Sequence, residues 1–195
     1  EYCGRGGLEL HDRNFSVRYT TNIPRAVGLA GSSAIIVATL RALMEFYGVE
    51  IPHRVQPSLV LSVETGELGI TAGLQDRVIQ VYGGMVAMDF GDEQMESCEG
   101  FLCGEYRRLD AGQLPQLYVA YSSDAGEPTE VLHNRLRERY ELGESEVVDA
   151  MGRFAELSSE GVEALAGSWR DDANSAPLDE RVRPGLRGNR RLKSN

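Results

Sequence analysis

The segment Pro24-Arg25-Ala26-Val27-Gly28-Leu29-Ala30-Gly31-Ser32-Ser33-Ala34 combines glycines, two adjacent hydroxyls and an abrupt change to an apolar run. Glycines let a backbone approach a ligand closely and turn its N–H groups toward it. A helix that starts at the serines adds a partial positive charge at the same point. The hydroxyls of Ser32 and Ser33 can donate to phosphate or ligate a magnesium ion. This is the pattern of a phosphate cradle made without a basic side chain. It is not a P-loop, because the lysine of GxxxxGK[ST] is missing. A plain glycine turn with Ser32 as helix N-cap fits the same letters.

A second group lies at Gly69-Ile70-Thr71-Ala72-Gly73-Leu74-Gln75-Asp76-Arg77, with Glu64 and Glu67 just upstream. Phosphoryl transfer needs ligands for the metal on the nucleotide phosphates and a carboxylate near the acceptor hydroxyl. Asp76 follows a glycine turn at an expected helix start, where a negative charge is favoured. Glu64 falls near the end of the preceding helix and can return to the same cleft. Alternatively, Asp76 pairs with Arg77 or another neighbour and Glu64 is a solvated face residue.

Other residues offer less. His11, His53 and His133 are scattered, without HExxH spacing or a triad partner, and read as surface histidines. Ser122-Ser123-Asp124-Ala125-Gly126 reads as a solvent turn. Arg135, Arg137 and Arg139 alternate with Leu136 and Glu138, the pattern of a wet helix face. Cys3, Cys98 and Cys103 are odd in number and form no CxxC pair, so neither a disulfide framework nor a zinc site is indicated.

These groups need elements to hold them. Residues 1–7 show no core pattern and begin without Met, as an internal cut does. Phe15, Val17 and Tyr19 alternate with polar neighbours, which predicts a half-buried strand. Residues 32–47 form an apolar helix with almost no polar face, stopped by Gly48, so burial against a sheet containing residues 15–19 is expected. Pro57 and the run Leu59, Val60, Leu61, Val63 predict a second helix ending near Gly66. Residues 72–82 predict a third, and Gly83-Gly84 turns the chain into a strand over 85–90. Residues 117–121 predict another strand. Helices follow over 128–142 and 145–166, the second opened by Ser145-Glu146 as a capping pattern. After Trp169 the chain is charged, Pro- and Gly-bearing and almost without apolar residues, so disorder is expected there. No repeat is evident, and the irregular mixture of strands and helices indicates α+β.

Composition narrows the function classes. The 195 residues are 42% hydrophobic and 26% charged, ordinary for a globular chain. Thirty acids against 20 bases give a net charge of -10, which disfavours nucleic-acid partners. No apolar run approaches a membrane span, and no signal-peptide pattern opens the chain. A cytoplasmic protein without membrane partners is the expectation.

The residues also match a known pattern. The stretch 23–34 resembles the glycine- and serine-rich phosphate motif of the GHMP kinases. The spelling is similar to that of plant-type glucuronokinases: His11-Asp12-Arg13-Asn14-Phe15, Thr21-Asn22-Ile23-Pro24-Arg25, then Val27 to Ile35. Leu68-Gly69-Ile70, Ala72-Gly73-Leu74-Gln75-Asp76-Arg77-Val78 and Gln80-Val81-Tyr82-Gly83-Gly84 resemble the same group. The resemblance is dense over residues 11–90, thins over 117–166 and is lost after Trp169.

This resemblance implies a GHMP kinase N-terminal domain over residues 1–112, lacking its first segment. The start of an α+β C-terminal domain over 113–169 and a tail over 170–195 follow. It implies that Pro24, Val27, Gly28, Leu29, Ala30, Gly31, Ser32, Ser33 and Ala34 bind the ATP phosphates. Ser32 and Glu64 are implied as Mg2+ ligands, Ser33 as a phosphate donor and Asp76 as the catalytic carboxylate. The implied reaction is phosphorylation of the anomeric hydroxyl of glucuronate, giving glucuronate 1-phosphate. Heptose- or galactose-type kinases, or a truncated relative that binds nucleotide without turnover, are the alternatives. An N-terminal sugar-site motif is expected before Glu1, and a late glycine-rich motif where the Arg-rich tail begins.

Overall fold

A computed structural model describes residues 2–25, 27–121 and 129–165 of the chain. It divides into two compact units, one up to Glu130 and one from Val131.

The first unit opens with a single helical turn, α1 (Tyr2–Arg5). Its centre is built from α2 (Gly31–Tyr47), α3 (Gln56–Ser62) and α4 (Leu74–Tyr82). Val37, Val60 and Val81, one from each helix, form the buried cluster, with Ile36, Leu40 and Tyr82 packed around it. Gly48 ends α2 with φ 64°, and Val49 N–H donates to Met44 while Gly48 N–H donates to Glu45. Both bonds satisfy carbonyls that a helix end leaves unpaired. Pro57 stands in the first turn of α3, where its missing N–H costs nothing. Instead of stopping, α3 widens into one π-type turn over Val63–Glu67. The last carbonyls of α4 are held from outside: Arg41 of α2 donates to Gln80 and Val81, both at 2.9 Å. Arg108 donates to Tyr82 at 2.8 Å.

Gly83 and Gly84, at φ 64° and 68°, turn the chain into β1 (Met85–Asp89). This strand pairs antiparallel with β4 (Glu105–Leu109), from Met85 opposite Leu109 to Asp89 opposite Glu105. Between them β2 (Glu96–Cys98) and β3 (Phe101–Cys103) form a hairpin closed by Glu99 and Gly100 at φ 52° and 82°. Positive φ at both positions is the turn whose twist matches that of the strands. Ser58 Oγ ties α3 to β3 through Leu102 O at 2.7 Å. Helices with small antiparallel sheets make the domain α+β, as expected.

Several local expectations are corrected. Phe15, Val17 and Tyr19 enter no ladder and are 48%, 50% and 60% exposed. A strand needs a partner for its backbone groups, and these residues have none among the described ones; Phe15 instead sets its ring against Phe46 at 5.2 Å. Residues 117–121 are likewise unpaired, with Tyr118 82% exposed. The helix α2 packs on α3 and α4 rather than on a sheet. It is only half-buried, with Ser33 and Val37 inside and Arg41, Ala42 and Glu45 outside. His11 is no free surface histidine, since its Nε2 bonds Phe46 O at 2.9 Å and its ring packs against Phe46 and Tyr47.

In the second unit α5 (Thr129–Glu141) and α6 (Ser145–Glu163) are joined through Gly143 at φ 70°. The residue before α6 is Glu144, and no side chain caps it, so Ser145 is the first helical residue rather than the cap. Arg139 bridges to Glu144 and Glu146 at 2.7 and 3.4 Å. Among the described residues no helix is long and apolar enough to cross a membrane. The expected turn at 122–126, the first residue of the 128–142 helix, the last residue of the 145–166 helix, Trp169 and the tail lie outside the described residues.

Candidate functional site

The loop before α2 is shaped by a few constraints. Ile23 N–H donates to Thr21 Oγ1 at 3.1 Å, Gly28 takes φ 75°, and Ala30 lies in the left-handed region at φ 52°. A Cβ on Gly31 would meet Ile23 Cγ2 at 3.3 Å, so this glycine lets the loop fold against its own helix. Ala30, not Ser32, is the N-cap of α2, and it offers no side-chain hydrogen bond. The first helical bond is Ala34 N–H to Ala30 O at 3.2 Å. The N–H groups of Gly31, Ser32 and Ser33 precede it and have no intrahelical acceptor. A left-handed residue followed by free helix N–H groups is a receptor for an anion.

The two serines differ. Ser33 is buried and its Oγ donates to Ala30 O at 3.0 Å, which leaves its backbone N–H as its means of meeting a phosphate. Ser32 is exposed, and its Oγ donates to Glu64 Oε1 at 3.1 Å.

Glu64 is 0% exposed and sits on the π-type turn after α3. Its Oε2 is held by Arg77 Nε in a buried ion pair. Such turns occur often at functional sites; here it carries the carboxylate inward between α2 and α4. The solvated-face alternative for Glu64 does not hold. Arg77 Nη1 also donates to Gly73 O at 3.1 Å and lies 3.5 Å from Asp76 Oδ2. Asp76 is in the first turn of α4, where the helix dipole favours its charge, and its side chain is 54% exposed. Its contact with Arg77 is loose and open to water, so it contributes little energy.

One connected line therefore runs Ser32–Glu64–Arg77–Asp76. It joins the serine cradle to both carboxylates singled out in the sequence. Arg77 figured there only as an alternative partner for Asp76; its pairing with Glu64, 13 residues back, is the part the sequence left unread. Among the described residues no three His, Cys, Asp or Glu side chains gather as metal ligands. A cation at this site must therefore draw most of its ligands from phosphate and water, as magnesium commonly does. The three cysteines are free, and burial pushes the Cys103 thiol up, away from the reactive thiolate.

Residues 2–84 match the GHMP kinases N terminal domain. Over 167 residues the chain is 45% identical to probable glucuronokinase 2 of Arabidopsis thaliana, and over 166 residues 44% identical to glucuronokinase 1 of the same plant. Each alignment covers 84% of this chain and 44% of the relative, so the chain spans less than half the length of these relatives. A shorter match, 30% over 77 residues, covers 40% of this chain and 23% of a D-glycero-alpha-D-manno-heptose 7-phosphate kinase of Campylobacter jejuni. No solved structure matches the chain. Residues 2–84, which hold the glycine–serine loop, Glu64 and Asp76, are thus similar to the N-terminal domain of the GHMP kinases.

Proposed function

We propose that this chain is the nucleotide-binding part of an ATP-dependent sugar kinase that phosphorylates the anomeric hydroxyl of glucuronate, giving glucuronate 1-phosphate. The observation that carries the reading is the contact between Ser32 Oγ and Glu64 Oε1 at the open N-terminus of α2. The substrate assignment is supported by the 45% and 44% identity to two glucuronokinases.

Magnesium fits the donors present. Ser32 and Glu64 offer hard oxygens 3.1 Å apart. Neighbouring ligands of an octahedral magnesium, each at about 2.1 Å, are separated by about 3.0 Å. When bound, the ion neutralises charge on the nucleotide phosphates. Around it the chain's own groups divide the work. The N–H groups of Gly31, Ser32 and Ser33 hold phosphate oxygens, and Pro24 with residues 27–34 wraps them. Asp76 orients the sugar hydroxyl and accepts its proton, a role that suits an exposed carboxylate. Residues 1–112 are proposed as the kinase N-terminal domain and 113–169 as the start of the next. Three free cysteines suit a reducing compartment such as the cytoplasm.

The test is ADP release over a panel of glucuronate, galactose and a heptose phosphate, with the product position read by NMR. Turnover with glucuronate at the anomeric oxygen is expected. A preference for the heptose phosphate, which the 30% match favours, overturns the sugar assignment. ATP binding without turnover on any sugar makes the chain a non-catalytic relative.

A further inference from the structure

Arg77 lies between the two carboxylates, and the cradle reading assigns it no part. Its buried guanidinium uses two edges. Nε holds Glu64 Oε2, while Nη1 donates to Gly73 O at 3.1 Å and lies 3.5 Å from Asp76 Oδ2. Gly73 is the N-cap of α4, and Asp76 stands in its first turn. With Oε2 occupied, Oε1 is the Glu64 oxygen that meets the Ser32 hydroxyl. A planar fork can manage this because its donors are fixed relative to one another. An ammonium group has no such geometry.

We infer that Arg77 is a positioning residue for the metal site. It holds Glu64 in the rotation that points Oε1 at Ser32, and it ties that carboxylate to the helix start carrying Asp76. The inference rests on reading Ser32 and Glu64 as magnesium ligands. Its consequence is that the buried carboxylate is oriented and charge-balanced before any cation arrives. The spacing between the phosphate cradle and the acceptor side of the site is then set largely by one side chain.

The test uses the full 195-residue chain as wild type and Arg77→Lys. Thermal unfolding and AMP-PNP affinity in EDTA are measured first. Mn2+ affinity in saturating AMP-PNP follows, by electron paramagnetic resonance. Arg77→Lys is expected to keep its metal-free nucleotide affinity while Mn2+ affinity falls about 10–100-fold, the range for losing a group that orients a metal ligand. Unchanged Mn2+ affinity overturns the inference. A parallel fall in melting temperature, nucleotide affinity and Mn2+ affinity also overturns it, because a purely structural role gives that result. If Arg77→Lys does not fold, Arg77→Ala with added guanidinium ion replaces it. Recovery with guanidinium but not with methylammonium supports the inference; equal or absent recovery overturns it. A wild-type chain that takes up neither AMP-PNP nor Mn2+ overturns the kinase reading and this inference together. Failure of the Arg77 inference alone leaves wild-type binding intact.

Discussion

Ser32 and Glu64 are separated by 32 positions in the chain, and a 3.1 Å hydrogen bond from Ser32 Oγ to Glu64 Oε1 joins them. The bond connects the first turn of α2 to the wide turn after α3, so an exposed hydroxyl and a fully buried carboxylate share one point. A carboxylate fixed from both sides is a poor mobile base and a good stationary ligand. In the proposed kinase the proton-accepting role is accordingly given to Asp76, whose side chain is more than half open to water.

Asp76→Asn tests that division. The Arg77 contact at 3.5 Å is loose, so stability should change by less than about 1 kcal/mol. In a form that turns over glucuronate, the rate should fall by roughly two to four orders of magnitude with ATP binding retained. Urea denaturation and ADP release measure the two effects. Near-normal turnover would remove the assignment.

Glu64→Gln should behave differently. It strips the buried Arg77 of its counter-charge, and losing one partner of a buried pair costs about 3–5 kcal/mol. The surviving folded protein should need more Mg2+ before it binds ATP or turns over. A denaturation curve and a Mg2+ titration at fixed ATP check both parts. Unchanged stability contradicts the buried pair.

Gly31→Val probes the cradle. The new Cβ meets Ile23 Cγ2 at 3.3 Å, close enough to push the loop outward without disturbing the valine core. The domain should stay folded while Mg-ATP affinity drops about tenfold, which corresponds to about 1.4 kcal/mol. Calorimetry on the folded variant decides, and an undiminished affinity speaks against close backbone approach.

His53 supplies a pH dependence away from the site. Burial, then the charges of Arg108 and Arg41, hold its pKa below the usual histidine value of 6.5. The unfolded chain therefore takes up this proton first as pH falls. The contribution is intact above about 6.5 and is lost as pH drops below that value toward the folded pKa. Denaturation midpoints at pH 7.5 and 5 should diverge less in His53→Gln than in wild type. Equal divergence in both proteins rules His53 out.

The helices are legible because glycines and Pro57 mark their boundaries, and the structure brings Ser32 and Glu64, singled out by residue type, into contact. The alternation at Phe15, Val17 and Tyr19 predicts a strand that does not form, because alternation supplies no hydrogen-bonding partner. Conversely β2 and β4, with letters such as Glu96-Ser97-Cys98 and Glu105-Tyr106-Arg107-Arg108, carry no apolar rhythm. Ladder bonds to β1 hold β4, while ladder bonds and the Glu99–Gly100 turn hold β2 to β3, which Ser58 ties to α3; none of those is a local hydropathy signal. The Glu64–Arg77 pair depends on one widened turn of backbone, which no letter announces.

That widened turn has a consequence for how the domain comes together. Because it swings Glu64 between α2 and α4, the contacts of the site span separations of 32 and 13 residues, and neither can form inside a lone helix. The cradle therefore matures only when the three helices have collapsed around Val37, Val60 and Val81. A nucleotide analogue added during refolding should gain its bound signal in step with core burial, with no earlier phase.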